Sequence, residues 1–208
     1  MKAIYLIAVL ITARHLSFAH TAPVNTRNNF LLLAYSDTFL VQIPDPRQML
    51  SEIMIVVGLQ QNFELKEAKV DNIEASILHR KRYILYNPDF ITWINNSTKD
   101  KWATITLLAH EVGHHLNGHT IRKSGSKPIL ELEADEFAGF VLHKLGASLE
   151  QAQEVMTYIA ELKASRTHPG RGSRMAAIEN GWNKAARSES ITVSAKNNFS
   201  PFNELQSD

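Results

Sequence analysis

The chain has 208 residues, 44% of them hydrophobic, enough for one domain with a real core and too apolar for a disordered class. Lysine and arginine number 22 against 21 acidic residues, and a net charge of +1 gives no footprint for nucleic acid or an acidic membrane. There is no cysteine, which excludes disulfides, thiolate zinc sites and a cysteine nucleophile.

Residues 1–19 read as a signal peptide. Lys2 supplies the positive start, and Ala3 to Ala13 form an apolar stretch shorter than the roughly 20 residues that span a bilayer. Ser17-Phe18-Ala19 offers small residues before a cut, so the mature chain is expected to begin at His20 and to be exported, periplasmic or secreted. An uncleaved, N-terminally anchored chain is the alternative. A short strand is expected near Phe39–Ile43. Asp45-Pro46 then starts a helix, with Asp as N-cap and Pro at the first helical position. It runs to about Gly58 with Met49, Leu50, Ile53, Met54, Val56 and Val57 as its apolar set.

Phe63 to Ala68, Ile73 to Leu78 and Tyr83 to Tyr86 are strand-like, and His79-Arg80-Lys81 joins the last two as a hairpin. Pro88 to Asn95 is a short helix, with Ser97 or Thr98 as the cap of the next. That next helix continues from an apolar run, Trp102 to Ala109, and stops at Asn117-Gly118. Pro128 opens a further helix to about Leu145. Ser148 with Gln151 is a capping box for another, to about Lys163. Thr167 to Gly170 is a loop, and Arg171 to Ala186 a last helix. The order predicts an α+β fold: a mainly helical domain over residues 20–187, with a small β-sheet or hairpin before the central helix. Residues 188–208 are expected to form a flexible polar tail. Past the first segment no apolar run approaches 18 residues, so no spanning helix is expected in the mature chain, whatever its proximity to a membrane.

The central helix carries H-E-x-x-H as His110, Glu111 and His114. Side chains four apart stack on one helix face, so both imidazoles can meet one metal ion. Glu111 lies about 100° around the helix, where it reaches a water beside the metal without being a ligand. Two ligands, an open position and a base form the arrangement a zinc hydrolase needs. Gly113 inside the motif costs the helix roughly 1 kcal/mol against Ala, which a close neighbour or room beside the metal would explain.

Catalytic zinc takes three protein ligands. A third histidine in H-E-x-x-H-x-x-G-x-x-H does not fit, because the glycine is Gly118 and position 120 is Thr. His115 and His119, also four apart, are expected to be satisfied polar residues around the site. The following helix reads ELEADEFAGF from Glu131 to Phe140. Glu131 is the candidate third ligand, and Asp135, four residues on, can accept the outer N–H of a ligand histidine. Glu133 points about 200° away from Glu131, with Phe137 as its i+4 neighbour, and is expected to be dispensable for metal. The competing reading of these acids is a solvated acidic face.

HEVGHH, then E-x-x-A-D (Glu131, Ala134, Asp135), then Thr167-His168-Pro169 with Arg174 beyond, resembles the HtpX and CAAX-prenyl-protease family of zinc metallopeptidases, gluzincins whose third ligand is Glu. The likeness covers roughly residues 60–182. It implies a zincin-like metalloprotease domain and zinc endopeptidase activity with one Zn²⁺ per chain. It also implies Glu111 as base, Glu131 as ligand and a peptide or protein substrate lying along an edge strand. His168 becomes a candidate oxyanion donor, its other role being to fix the turn before Pro169; Arg174 is expected to hold the last helix by an ion pair. Many members span the membrane several times and this chain does not, so soluble exported members acting in envelope protein quality control are the nearer analogy. A zinc-containing, non-catalytic binder of unfolded proteins is the alternative function.

Overall fold

The computed structural model describes residues 45–121, 127–166 and 168–198. The expected signal segment, the strand near Phe39–Ile43 and residues 199–208 of the expected tail lie outside the described residues. Helix α1 (Pro46–Val57) starts as its sequence dictates: the Asp45 carboxylate accepts the Arg47 N–H at 2.9 Å, and Gly58 ends it at φ 72°.

Strands β1 (Glu64–Glu67), β2 (Ile73–Leu78) and β3 (Lys81–Tyr86) form one sheet in the order β1-β3-β2. β2 and β3 are an antiparallel hairpin with Ala75 opposite Ile84, and β1 runs parallel to β3. The hairpin turn is His79 and Arg80 alone, both at positive φ (50° and 67°), the twist that a two-residue turn requires. Lys81 belongs to the strand. Among the described residues β2 is therefore an edge strand.

Helix α2 (Pro88–Thr98) is longer than expected and absorbs both proposed caps. The Ser97 and Thr98 hydroxyls donate to the carbonyls of Trp93 and Ile94, four residues back. Asp100 takes over instead, its carboxylate accepting the Trp102 N–H at 2.9 Å. Helix α3 (Trp102–Leu116) is buried at every residue from Ala103 to Gly113 and packs against α1, α2 and the sheet. Ile105, Leu108 and Val112 are wholly enclosed, and burial of each such side chain contributes about 1.5–3 kcal/mol. A 3₁₀ turn (His119–Ile121) follows.

Helix α4 (Pro128–Lys144) lies along α3, and the Ser148–Gln151 capping box opens α5 (Leu149–Glu154). The single helix expected to Lys163 is in fact α5 and α6 (Met156–Ile159), ending at Ala160. The reason is Arg171: its guanidinium takes the Ala160 carbonyl at 3.0 and 2.9 Å, and its N–H takes the Glu161 carbonyl at 2.7 Å. Those are the acceptors a longer helix would have used.

Helix α7 (Arg171–Asn198) runs past Ala186, so the first part of the expected tail is helical. The Ser188, Ser190 and Thr192 hydroxyls fold back on carbonyls of their own helix, and Glu189 pairs with Lys144 of α4 at 3.1 Å. α4 and α7 cross almost backbone to backbone. A Cβ on Gly139 would sit 1.9 Å from the Ile178 carbonyl oxygen, and one on Gly181 would sit 1.8 Å from that of Glu136. The fold is α+β, mainly helical with a small sheet. Among the described residues no helix is long and apolar enough to cross a membrane.

Candidate metal centre

The helical period of α3 stacks His110 and His114, and their Nε2 atoms lie 3.0 Å apart with the rings nearly perpendicular. Glu131, in the first turn of α4, faces them. Its two carboxylate oxygens are 3.5 Å from His110 Nε2 and 3.6 Å from His114 Nε2. A tetrahedral zinc with bonds of about 2.0–2.2 Å holds its ligand atoms about 3.3–3.6 Å apart. The two carboxylate distances are of that size, and the histidine pair, at 3.0 Å, would open slightly around an ion. His110 and Glu131 are buried and His114 half-buried, and the group could hold a metal. Gly113 is what lets α4 come this near: a Cβ there would lie 3.1 Å from the Phe137 ring and 3.3 Å from the Ala134 Cα.

His110 is held from behind. Its Nδ1–H donates to Asp135 at 2.8 Å, and Arg174 from α7 donates to both oxygens of Asp135 at 2.7 Å. Asp135 is fully enclosed. Burial alone would raise its pKa, yet His110 and Arg174 hold it below the usual carboxylate range. Burial alone would likewise lower that of His110, but Asp135, then Glu131 and Glu111, push it up to about 10. His114 goes the other way: burial, then the charge of His110, takes it down to about 4.

Glu111 points from α3 to the edge strand, where its carboxylate accepts the Ala75 N–H at 2.6 Å. Burial pushes its pKa up to about 7, against the pull of His110 and of that N–H. A carboxylate poised near neutrality is suited to taking and returning a proton. Glu111, the histidine pair and Glu131 open onto one cleft of about 750 Å³, bounded on one side by Ile73 to Ala75 of β2. Leu107, one turn before Glu111, and Phe90 of α2 give the same cleft an apolar stretch.

His168 borders that cleft from the loop before α7. Its N–H donates to Ser165 Oγ at 3.0 Å, and its carbonyl accepts the Ser165 N–H at 2.8 Å, which closes a tight turn ahead of buried Pro169. His115 and His119, the other histidines next to the motif, have separate duties. His115 stacks on Phe63 and donates Nε2–H to the Tyr83 carbonyl at 2.9 Å, tying α3 to β3. His119 lies 3.0 Å from His114, Nδ1 to Nδ1, and its Nε2 meets Glu133 at 2.8 Å. Helical spacing concealed this contact. Gly118, at φ 71°, reverses the chain and folds the 3₁₀ turn back over His114.

Comparison with protein-family models, with curated proteins and with solved structures gave no match for this chain.

Proposed function

We propose that the protein is a zinc-dependent endopeptidase with a zincin-like catalytic domain, exported and acting in envelope protein quality control. The observation that carries this reading is the convergence of His110, His114 and Glu131 on one point, with the Glu111 carboxylate beside them and an edge strand along the same cleft. Zinc bound by the three would activate a water and polarise a peptide carbonyl.

The chain's own residues supply the rest. Among the described residues no strand pairs with the outer side of β2, where an extended peptide can add as a further strand beside the Ala75 N–H that Glu111 holds. Glu111 takes a proton from the attacking water as it adds to the scissile carbonyl, then returns it to the leaving amine. His168 donates a hydrogen bond to the oxyanion of the tetrahedral intermediate. Asp135 and Arg174 keep the His110 ring in place and its Nε2 turned toward the cleft.

Cleavage of casein by the purified chain, with and without a chelator, tests the reading. Cleavage that stops on chelation and returns with zinc is expected. Zinc binding with no cleavage of any unfolded substrate would favour the binder of unfolded clients.

A further inference from the structure

We infer that His119 and Glu133 are positioning residues that fix which nitrogen of His114 carries its proton, and so whether His114 can bind metal at all. The inference rests on reading His110, His114 and Glu131 as a zinc site. His114 turns Nε2 toward His110 and Glu131, so Nε2 must be the unprotonated, ligating nitrogen and Nδ1 must carry the hydrogen. Nδ1 lies 3.0 Å from His119 Nδ1. Only one proton fits between two ring nitrogens at that distance.

Two arrangements are available to neutral rings; an imidazolium His119, donating from both nitrogens, would put the His114 proton on Nε2 and so cannot coexist with a metal there. If His119 donated from Nδ1, His114 would accept there, and its own proton would sit on Nε2, facing the metal position and blocking it. If His119 accepts at Nδ1, its proton is on Nε2, where an acceptor must meet it. Glu133 is that acceptor: its carboxylate has no proton to give and lies 2.8 Å from His119 Nε2. The order of donors therefore runs one way, from His114 Nδ1–H to His119, and from His119 Nε2–H to Glu133. A carboxylate two hydrogen bonds from the metal position sets the tautomer of a ligand.

The placement supports a purpose beyond solvation. His119 is buried, its ring packed edge-on to that of His114 at 5.1 Å, whereas Glu133 reaches in from a half-exposed side chain. Both metal-facing histidines thus end on a carboxylate: His110 on Asp135 directly, His114 on Glu133 through His119. Glu133, which points away from the ligand face of α4, is a working part of the site and not a bystander.

The test is the zinc dissociation constant of the purified chain, measured by competition with a chelator, for wild type and four variants. His119→Leu keeps bulk but offers no acceptor and should weaken zinc about 10–100-fold, the usual effect of removing a ligand's outer partner. His119→Asn places an amide oxygen near the site of Nδ1 and should recover most of the loss. Glu133→Gln can accept but can also donate, so it no longer fixes the order and should weaken zinc, though less than Glu133→Lys, which has only donors at an exposed position and should weaken binding without unfolding the chain. Nitrogen NMR of the zinc-loaded wild type should find the His114 proton on Nδ1. No zinc on the wild type overturns both the site and the relay. Tight zinc on His119→Leu, or His119→Asn as weak as His119→Leu, overturns the relay and leaves the site standing.

Discussion

Arg174 of α7 grips both carboxylate oxygens of Asp135 on α4, Nε to Oδ2 and Nη2 to Oδ1, each at 2.7 Å, while Oδ1 also receives the Nδ1–H of His110. One buried acid thus connects the last helix to the first candidate ligand. The pair is a fold contact and a site contact at once.

Arg174→Ala should therefore do two things. It leaves Asp135 charged and enclosed with one partner lost, and breaking a buried pair in this way costs about 3–5 kcal/mol. It also frees the His110 ring to turn. Urea unfolding and zinc affinity should both fall. A variant as stable as wild type would show that α7 is held by its apolar and glycine contacts alone.

Glu111→Gln and Glu131→Ala should separate base from ligand. Glu111 bonds to the edge strand and not to the donor triangle, so Glu111→Gln should abolish peptide cleavage and leave zinc bound. Glu131 supplies a corner of the triangle, so Glu131→Ala should lose most zinc along with all activity. Equilibrium dialysis on the folded variants reads the difference. Zinc lost from Glu111→Gln and kept by Glu131→Ala would reverse the two roles.

His168→Ala removes one oxyanion donor and should lower turnover about 10²–10³-fold, while zinc content stays at wild type. The backbone bonds to Ser165 do not need the ring and should persist. An unchanged rate in the folded variant would assign His168 to the turn alone.

Zinc affinity should rise with pH. In chelated protein His110, with its pKa pushed up to about 10, carries a proton at pH 7, whereas a ligand must be the neutral ring. Binding then expels that proton. Each step of one unit between pH 6 and 8 should tighten zinc at least about tenfold. His114, at about 4, adds no proton in that window. Competition titrations at pH 6, 7 and 8 give the slope, and a flat line would mean that His110 is already neutral.

Local signals made most of the frame legible. Asp45-Pro46, Gly58 and the Ser148–Gln151 box each act within a few residues, and the structure places helix ends where they predict. The four-residue period of α3 brings His110 and His114 together, and that of α4 puts Glu131 and Asp135 on one face. What stayed hidden depends on contacts between distant segments. The stop at Ala160 is set by Arg171, and the far part of α7 is tied to α4 by the Glu189–Lys144 pair. His119 meets His114 only because Gly118 breaks the helical period, a reversal that no spacing rule encodes.

The glycines of the α4–α7 crossing supply the last prediction. Gly181 lies two turns along α7 from Arg174, and a Cβ there would come within 1.8 Å of the Glu136 carbonyl oxygen, next to Asp135 in α4. Backbone cannot swing aside as a side chain can, so Gly181→Ala must push the helices apart. Overpacking of this kind costs about 1–3 kcal/mol, and the better helix propensity of Ala returns at most about 1 kcal/mol. The separation also pulls the Arg174 guanidinium from Asp135, whose 2.7 Å bonds leave no slack. Gly181→Ala should thus lower both unfolding free energy and zinc affinity. Gly172, whose Cβ would meet nothing within 4 Å, is the control on the same helix, and Gly172→Ala should leave zinc affinity unchanged and gain at most about 1 kcal/mol of stability. If Gly181→Ala lost stability but bound zinc like wild type, the crossing would support the fold without setting the site. If it lost neither, the two helices would have room to separate, and the close crossing would not be what positions Arg174.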